Sequence, residues 1–147
     1  MCSFLGGCAP WPEPQTAGYA PEPTPTQADR GQRVVELAQQ QVGVPYLYGG
    51  RTPNGFDCSG LVYYVYGKLG VSVPRTALAQ YDHTRRVALA DLKPGDMVFF
   101  FGGDIMHVGI YVGDGWFIHA PETGKPVAGA WLNVGYWHDH FYGAGRP

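Results

Sequence analysis

Three residues of this sequence, Cys58, His107 and His119, are of the types that carry out nucleophilic catalysis. A cysteine thiol is mostly protonated at neutral pH, so a cysteine nucleophile needs a base beside it or a lowered pKa. A histidine can be that base, and its second ring nitrogen must be held by a polar group that fixes the tautomer. We therefore predict Cys58 as the nucleophile, His107 as the base and His119 as the orienting group.

Cys58 follows a turn-forming segment rich in Gly and Pro, residues 48–55, and precedes an apolar helical pattern. Asp57 is a suitable N-cap, so a helix over 58–69 would place Cys58 in its first turn, where free amides and the dipole favour a thiolate. Positions 58, 61, 62, 65 and 69 share one face, so Cys58 is predicted to head the buried side. The N–H of Cys58 and the Tyr46 hydroxyl are candidate oxyanion donors.

A predicted β-hairpin brings the two histidines together. The alternating strand 107–112 and the strand 116–120 flank Gly113-Asp114-Gly115. A three-residue loop there pairs Val112 with Trp116 and sets Gly109 opposite His119. His107 would then be a diagonal neighbour of His119 on the same face, about 7–8 Å away. A two-residue loop would instead direct the histidines to opposite faces.

The other predicted elements complete an α+β arrangement, with N-terminal helices packed on a mostly antiparallel sheet of five or six strands. Thr26 and Asp29 form a capping-box pattern before a helix over 29–42, and Thr76 caps a third helix that ends before Val87. The apolar run 97–101 is typical of a central strand. Further strands are expected at 128–134 and 140–145. Tyr48 is predicted to be a core aromatic residue.

Length and composition restrict the class of protein. The 147 residues suffice for one compact domain, and a net charge of −2 without a basic cluster argues against nucleic acid as a partner. Proline recurs through residues 1–28, which we interpret as an extended tail before a domain at 29–147. No stretch is long enough to span a membrane. The three cysteines leave at least one unpaired, and Cys58 is the expected free thiol.

Six sequence blocks resemble, in order, those of the NlpC/P60 family of bacterial cell-wall cysteine peptidases, a branch of the papain-like fold. The family resemblance covers about residues 29–147. The blocks begin at Pro45, Phe56, Pro74, Leu92, His107 and Phe117. The end of the chain, Tyr136-Trp137 and His140 to Ala144, is similar to the proteobacterial NlpC-type lipoproteins.

The resemblance implies a peptidoglycan endopeptidase that uses a Cys58–His107–His119 triad without a cofactor or metal. The bond would be D-Glu–diaminopimelate or D-Ala–diaminopimelate. Tyr46 matches a tyrosine facing the nucleophile, Asp57 and Ser59 match positions that line the substrate cleft, and Arg75 matches a basic position of the family.

Leu5-Gly6-Gly7-Cys8 resembles the bacterial lipobox, in which Cys8 would carry a lipid. The basic and long apolar regions of a secretory signal do not precede it in this sequence, so a disordered tail is the alternative. We expect a monomer in the cell envelope or periplasm, either free or lipid-anchored, that acts on peptidoglycan peptides.

Other functions remain open at this stage. Cys58 alone would be a core residue, and with both histidines it could instead ligate zinc, although no CxxC or HxxxH pair supports this. The main alternative is a non-catalytic cell-wall-binding lipoprotein on the same fold. A papain-like acyltransferase or thioesterase is a third class, but such permuted relatives place histidine before cysteine.

Overall fold

The structure is a computed structural model that describes Gly18 and residues 20–147. Cys8 and most of the predicted tail lie outside the described residues. The described part contains four α-helices and eight strands, which are α1 Gln27–Gln40, β1 Arg51–Thr52, β2 Gly55–Phe56, α2 Cys58–Lys68, α3 Ala77–His83, β3 Arg85–Val87, β4 Met97–Gly102, β5 Ile105–Gly113, β6 Trp116–His119, β7 Ala128–Trp131, α4 Gly135–His140 and β8 Phe141–Arg146. A short 3-10 helix, Leu89–Asp91, precedes β4.

Six strands form one antiparallel sheet in the order β3-β8-β4-β5-β6-β7, which confirms the predicted α+β class. β4 lies between β8 and β5, and its two faces are covered by the two clusters of core side chains on either side of the sheet. This position explains why residues 97–100 are all buried. The predicted central strand is therefore confirmed. β1 and β2 form a separate two-stranded hairpin that the sequence analysis did not identify.

The two sheet faces bury different groups of side chains. One face carries Phe99, Val108 and Ile110, which pack with Val34 of α1 and Leu61 of α2. The opposite face carries Val98, Phe100 and Phe117, packed with Leu132 and Trp137. Because side chains alternate along a strand, β5 directs Val108 toward the helices and His107 toward the second face.

The start of α1 follows from its capping box. The Thr26 hydroxyl accepts from the Asp29 N–H at 3.1 Å, and the Asp29 carboxylate accepts from the Thr26 N–H at 2.9 Å, as predicted. The helix begins at Gln27, two residues before the predicted start, because Thr26 is itself the N-cap. It ends at Gln40 rather than at residue 42.

Other boundaries also differ from the predictions. Thr76 caps α3 and α3 ends at His83, before Val87, both as predicted, whereas the strand β3 that follows was not predicted. The region near residue 140 forms α4 before β8, and this short helix was not predicted. Tyr48 is 89% exposed, so the prediction that it is a core residue is wrong. The described residues include no helix with the length and apolar character needed to cross a membrane.

Candidate active site

Cys58 is the first residue of α2, as predicted. Asp57 is the N-cap, and its carboxylate accepts from the Gly60 N–H at 2.7 Å. Cys58 is a free thiol that is only partly exposed, while Leu61, Val62 and Val65 continue the buried side of the helix. Gly60 allows α2 to start here, because a Cβ at that position would lie 1.9 Å from the carbonyl oxygen of Gly50.

The protonation state of Cys58 differs from the sequence-based expectation. Hydrogen bonds from the backbone N–H groups of Val108, Ser59 and Cys58 itself act to lower the thiol pKa, as a helix start should. Desolvation by burial outweighs them, and the nearby Asp57 charge adds to it, so the pKa of Cys58 is raised. The resting nucleophile is therefore a thiol. Its contact with Val108 also joins α2 to β5, one residue from His107.

Asp57, Ser59 and Arg75 form one ionic cluster, which we call the polar wall. The Arg75 guanidinium donates to both carboxylate oxygens of Asp57, at 2.9 and 2.8 Å, and to the Ser59 hydroxyl at 2.9 Å. The Asp57 carboxylate also accepts from the Gly49 N–H at 3.1 Å, and Arg75 donates to the Gly50 carbonyl at 3.3 Å. The polar wall thus ties the glycine loop, the start of α2 and the segment before α3 together around Cys58.

His107 and His119 contact each other through their rings. His107 Nε2 lies 2.8 Å from His119 Nδ1, so the two side chains share a face, as predicted. The paired nitrogens require one ring to donate and the other to accept. If His107 donates through Nε2, its Nδ1 is free to act as a base.

The hairpin reaches the predicted register by another route. The predicted three-residue loop is wrong, because Gly113 pairs with Trp116 around the two-residue turn Asp114-Gly115, both with positive φ. Val112 is left as a bulge, and pairing resumes at Tyr111 with Phe117. The extra residue restores the register that the short turn would have shifted.

Gly109 provides the space between the paired strands near the histidines. A Cβ at Gly109 would lie 2.7 Å from the Phe117 ring and 3.3 Å from the His119 Cβ.

Three aromatic residues, Phe100, Phe117 and Trp137, surround the histidine pair, and we call them the aromatic wall. Trp137 stacks on His107 with a centroid distance of 5.3 Å and meets His119 edge-on at 4.7 Å. Phe100 lies opposite His107 in the sheet, and Phe117 contacts His119. The sequence analysis did not connect any of the three residues with the histidines.

Burial keeps both histidines neutral. Desolvation lowers the pKa of His107 to about 4. The pKa of His119 is lowered to about 3, first by desolvation and then by the charges of His107 and Lys125. At neutral pH the site therefore pairs a thiol with a neutral imidazole, and not a thiolate with an imidazolium.

Tyr46 lies on the Cys58 side of the site. Burial raises the pKa of its phenol, and the neighbouring Cys58 contributes to the increase, so the hydroxyl stays protonated and can donate. The backbone of Tyr46 bridges to Phe56 in parallel, which holds it beside the start of α2. The predicted candidates Tyr46, Asp57, Ser59 and Arg75 are thus all near Cys58.

Gln80 is a further buried residue at this site that the sequence analysis missed. Its side-chain amide donates to the carbonyl oxygens of Ser59, at 3.0 Å, and Pro74, at 2.8 Å. Gln80 thereby joins α3 to the first turn of α2. Among the described residues, no group of three His, Cys, Asp or Glu side chains is arranged to hold a metal ion.

The fold is α+β, with a cysteine at the start of a helix and two paired histidines on adjacent strands. These features together define a class of proteins, and comparison with known proteins identifies that class. The NlpC/P60 family model matches residues 43–146. The chain belongs to the NlpC/P60 family.

Two curated relatives from Escherichia coli K12 are similar. "Probable endopeptidase YafL" is 43% identical over 81% of this chain and 52% of its own length. "Murein DD-endopeptidase MepH" is 48% identical over 73% of this chain and 42% of its own length. The chain therefore spans about half the length of these relatives.

Solved structures show the same fold. An NlpC/P60 family protein from Bacillus cereus matches with a TM-score of 0.76 and 31% identity, covering 84% of this chain and 41% of its own. The NlpC/p60 domain of the peptidoglycan hydrolase SagA matches with a TM-score of 0.71 and 31% identity, covering 80% and 98% respectively.

Proposed function

We propose that the protein is a cysteine endopeptidase that hydrolyses amide bonds in the stem or cross-link peptides of peptidoglycan. The observation that carries this proposal is the histidine pair, with His107 Nε2 2.8 Å from His119 Nδ1, next to Cys58 packed on the core cluster that contains Val108, the residue after His107. The similarity to the murein DD-endopeptidase MepH and to the peptidoglycan hydrolase SagA supports the substrate class.

Catalysis begins with the thiol and the neutral base. As the Cys58 sulfur attacks the amide carbonyl carbon, His107 Nδ1 takes the thiol proton. His119 accepts from His107 Nε2 and holds that tautomer. The carbonyl oxygen becomes an oxyanion, which the N–H of Cys58 and the Tyr46 hydroxyl stabilise.

In the second half of the reaction, His107 gives up the proton that it took from the thiol. The C–N bond breaks, the leaving amine takes the proton from His107, and the acyl group remains on sulfur as a thioester. Water then attacks the thioester with His107 as base, which releases a carboxylic acid and restores the thiol. Because desolvation disfavours the His107 imidazolium, it returns its proton readily at each step.

The polar wall acts in this scheme by fixing the start of α2, and the exposed edge of Arg75 faces the substrate. The Asp57 carboxylate is occupied by an N-cap bond and by Arg75, so its contribution is mainly to position Cys58. The catalytic domain is the predicted unit 29–147 extended to the Thr26 cap of α1, and the proline-rich tail precedes it. The protein works as a monomer in the cell envelope, with Cys8 as the candidate lipidation site.

The test is cleavage of purified muropeptides by the wild-type protein and by Cys58→Ala, with products identified by mass. We expect cleavage by the wild type alone, and His83→Gln, an exposed histidine, serves as the control. Equal cleavage by both proteins, or by neither, would overturn the proposal in favour of a wall-binding role. The product masses identify which of the two bonds is cut.

A further inference from the structure

Gln80 is a polar residue on the short helix α3, yet 0% of its surface is exposed. Its Nε2 group donates to two backbone carbonyls, those of Ser59 and Pro74, at 3.0 and 2.8 Å. Because a carbonyl can only accept, these two partners fix the orientation of the amide. The Oε1 atom is also buried, and no residue that the structure describes donates a hydrogen bond to it. The side chain therefore makes its hydrogen bonds only to the backbone of two other segments.

Packing alone does not explain an amide at this position. A buried acceptor without a partner is unfavourable, because it loses its hydrogen bonds to water and gains none in the protein. Methionine has a similar shape and would fill the same volume without an unpaired oxygen. The Ser59 carbonyl also keeps its second lone pair for the helical hydrogen bond within α2. The two bonds from Gln80 are therefore the feature that an apolar side chain could not replace.

The two carbonyls belong to residues next to the nucleophile and next to the arginine of the polar wall. Ser59 follows Cys58 in the chain, and Pro74 precedes Arg75. Arg75 itself donates to the Ser59 hydroxyl at 2.9 Å. Gln80 thus holds the backbone beside Cys58 and the backbone beside Arg75 relative to each other, through contacts that are separate from those of the polar wall.

The backbone of Gln80 is itself held on both sides. The Thr76 hydroxyl caps α3 by accepting from the Ala79 N–H at 3.3 Å, and the Gln80 N–H donates to the Thr76 carbonyl at 2.9 Å. The Gln80 carbonyl accepts from the Thr84 N–H at 3.2 Å. The amide therefore extends from a fixed backbone and can serve as a support for the segments it contacts.

The first turn of α2 must be held accurately for the proposed reaction. His107 takes the thiol proton while the Cys58 sulfur attacks, so the sulfur and the imidazole need a defined separation. A displacement of about 1 Å in such a geometry can lower a rate about 100-fold. The Asp57 cap and the Gln80 amide both act on this turn, and each restrains the sulfur through the backbone.

We propose that Gln80 is a positioning residue that fixes the first turn of α2, and with it the Cys58 sulfur, relative to His107. The inference rests on the proposed function. Because Gln80 is completely buried, it reaches neither the substrate nor the reacting atoms, and it acts through the carbonyls of Ser59 and Pro74.

The first test compares kcat and KM for muropeptide cleavage by the wild type and by Gln80→Met, which keeps the volume and removes both hydrogen bonds. We expect kcat to fall about 10- to 100-fold and KM to change less than about threefold, because the polar wall keeps its own hydrogen bonds. Gln39→Met replaces an exposed glutamine on α1, and this matched control should keep both constants.

Alkylation of Cys58 by iodoacetamide provides a readout that a loss of stability alone would not change. It is followed from pH 6 to pH 10 by the mass of the peptide that contains Cys58. In Gln80→Met, alkylation at pH 7 should slow about five- to tenfold, and the pH profile should move toward that of His107→Gln. The charged and titratable groups around the thiol are unchanged in this variant, and these are Tyr46, Asp57, Arg75, His107 and His119.

Two further variants separate positioning from stability. Val87→Ala removes buried methyl groups from β3 and should lower the urea midpoint while leaving kcat of the folded protein unchanged. Gln80→Glu keeps the shape and, as the neutral acid that burial favours, can donate to one of the two carbonyls. Its kcat at pH 6 should be about three- to tenfold below the wild type and above that of Gln80→Met.

Several results would overturn this inference and leave the proposed function intact. One is a Gln80→Met protein with the wild-type kcat and alkylation profile, and another is a Val87→Ala protein with the same losses. If Gln80→Met does not fold, a wild-type kcat in Gln80→Glu overturns the inference instead. A wild type that cleaves no muropeptide would overturn the proposed function, whereas the alkylation profiles would still show whether Gln80 orients the thiol.

Discussion

On the Cys58 side of the site, charged groups hold the structure together. Asp57 receives two hydrogen bonds from Arg75 and two from backbone N–H groups, and Ser59 joins the same network. On the His107 side, two neutral imidazoles contact each other inside the aromatic wall. The aromatic wall excludes water with its rings, whereas the charged groups of the polar wall are paired with each other.

This contrast separates positioning from proton transfer. The polar wall is held in place by the two hydrogen bonds that the Arg75 guanidinium donates to the Asp57 carboxylate. The aromatic wall makes a protonated histidine unfavourable, so the proton that His107 takes during attack is held only briefly. Variants of His107 and His119 test the aromatic wall, and variants of Asp57 test the polar wall.

The largest effect is expected from His107→Gln. Glutamine retains a polar side chain but cannot accept the thiol proton, so kcat should fall by about 10²–10⁴-fold, the usual contribution of a general base. The residual rate should increase with pH toward the raised pKa of Cys58, because the thiolate then forms without a base. Muropeptide cleavage followed from pH 6 to pH 10 measures both effects.

The exposed His83→Gln variant is the control and should match the wild type. A His107→Gln variant with the wild-type rate and pH profile would mean that His107 only packs against Trp137.

The second prediction concerns stability and pH. Both histidines have folded-state pKa values below the unfolded value of 6.5, so the unfolded chain binds more protons as the pH falls. The stabilisation is complete above pH 6.5 and is lost as the pH falls toward 4. A shift of this size corresponds to about 3 kcal/mol for His107 alone. Urea unfolding at pH 7.5, 6, 5 and 4.5 measures it.

Replacing both histidines, as His107→Gln with His119→Asn, should remove most of this dependence. A double variant with the same pH slope as the wild type would show that other groups cause it.

Parts of both walls could be predicted from local sequence. The N-cap role of Asp57 depends on residues 57–60, and the histidine register depends on a short hairpin, so neighbouring residues carry the information. The hairpin still keeps the predicted register only because Val112 forms a bulge, since the two-residue turn Asp114-Gly115 alone would have shifted the register by one residue. The apolar run was enough to predict β4, the period-two alternation was enough to predict β5, and the 3.6-residue periodicity was enough to predict α2.

Long-range packing could not be predicted in the same way. Trp137 lies on a six-residue helix without a side-chain cap, and its contact with His107 crosses 30 residues of sequence. Asp57 and Arg75 are 18 residues apart, so their pairing has no periodic pattern. The raised pKa of Cys58 also depends on burial against β5, whereas the helix start alone predicted a lowered pKa.

The smallest of these effects is expected from breaking the polar wall with Asp57→Ala. The variant loses the N-cap of α2, which costs about 1 kcal/mol, and leaves Arg75 without its carboxylate partner. Arg75 is 30% exposed, so water compensates part of that loss and the total should be about 2 kcal/mol in urea unfolding. Asp57→Asn keeps a good N-cap residue and removes only the charge, so it should lose about half as much.

The exposed pair of His138 and Asp139 provides the control for Asp57→Ala, and Asp139→Ala should change stability by less than about 0.5 kcal/mol. Asp57→Asn should lower kcat and should also shift the pH profile of cleavage toward lower pH, because the Asp57 charge is one of the causes that raise the pKa of the Cys58 thiol. An unchanged kcat and an unchanged profile would mean that the polar wall neither positions Cys58 nor acts on its thiol, and the distinction between the two walls would then fail. The change in kcat should stay well below that of His107→Gln, because Arg75 still donates to Ser59 and to the Gly50 carbonyl.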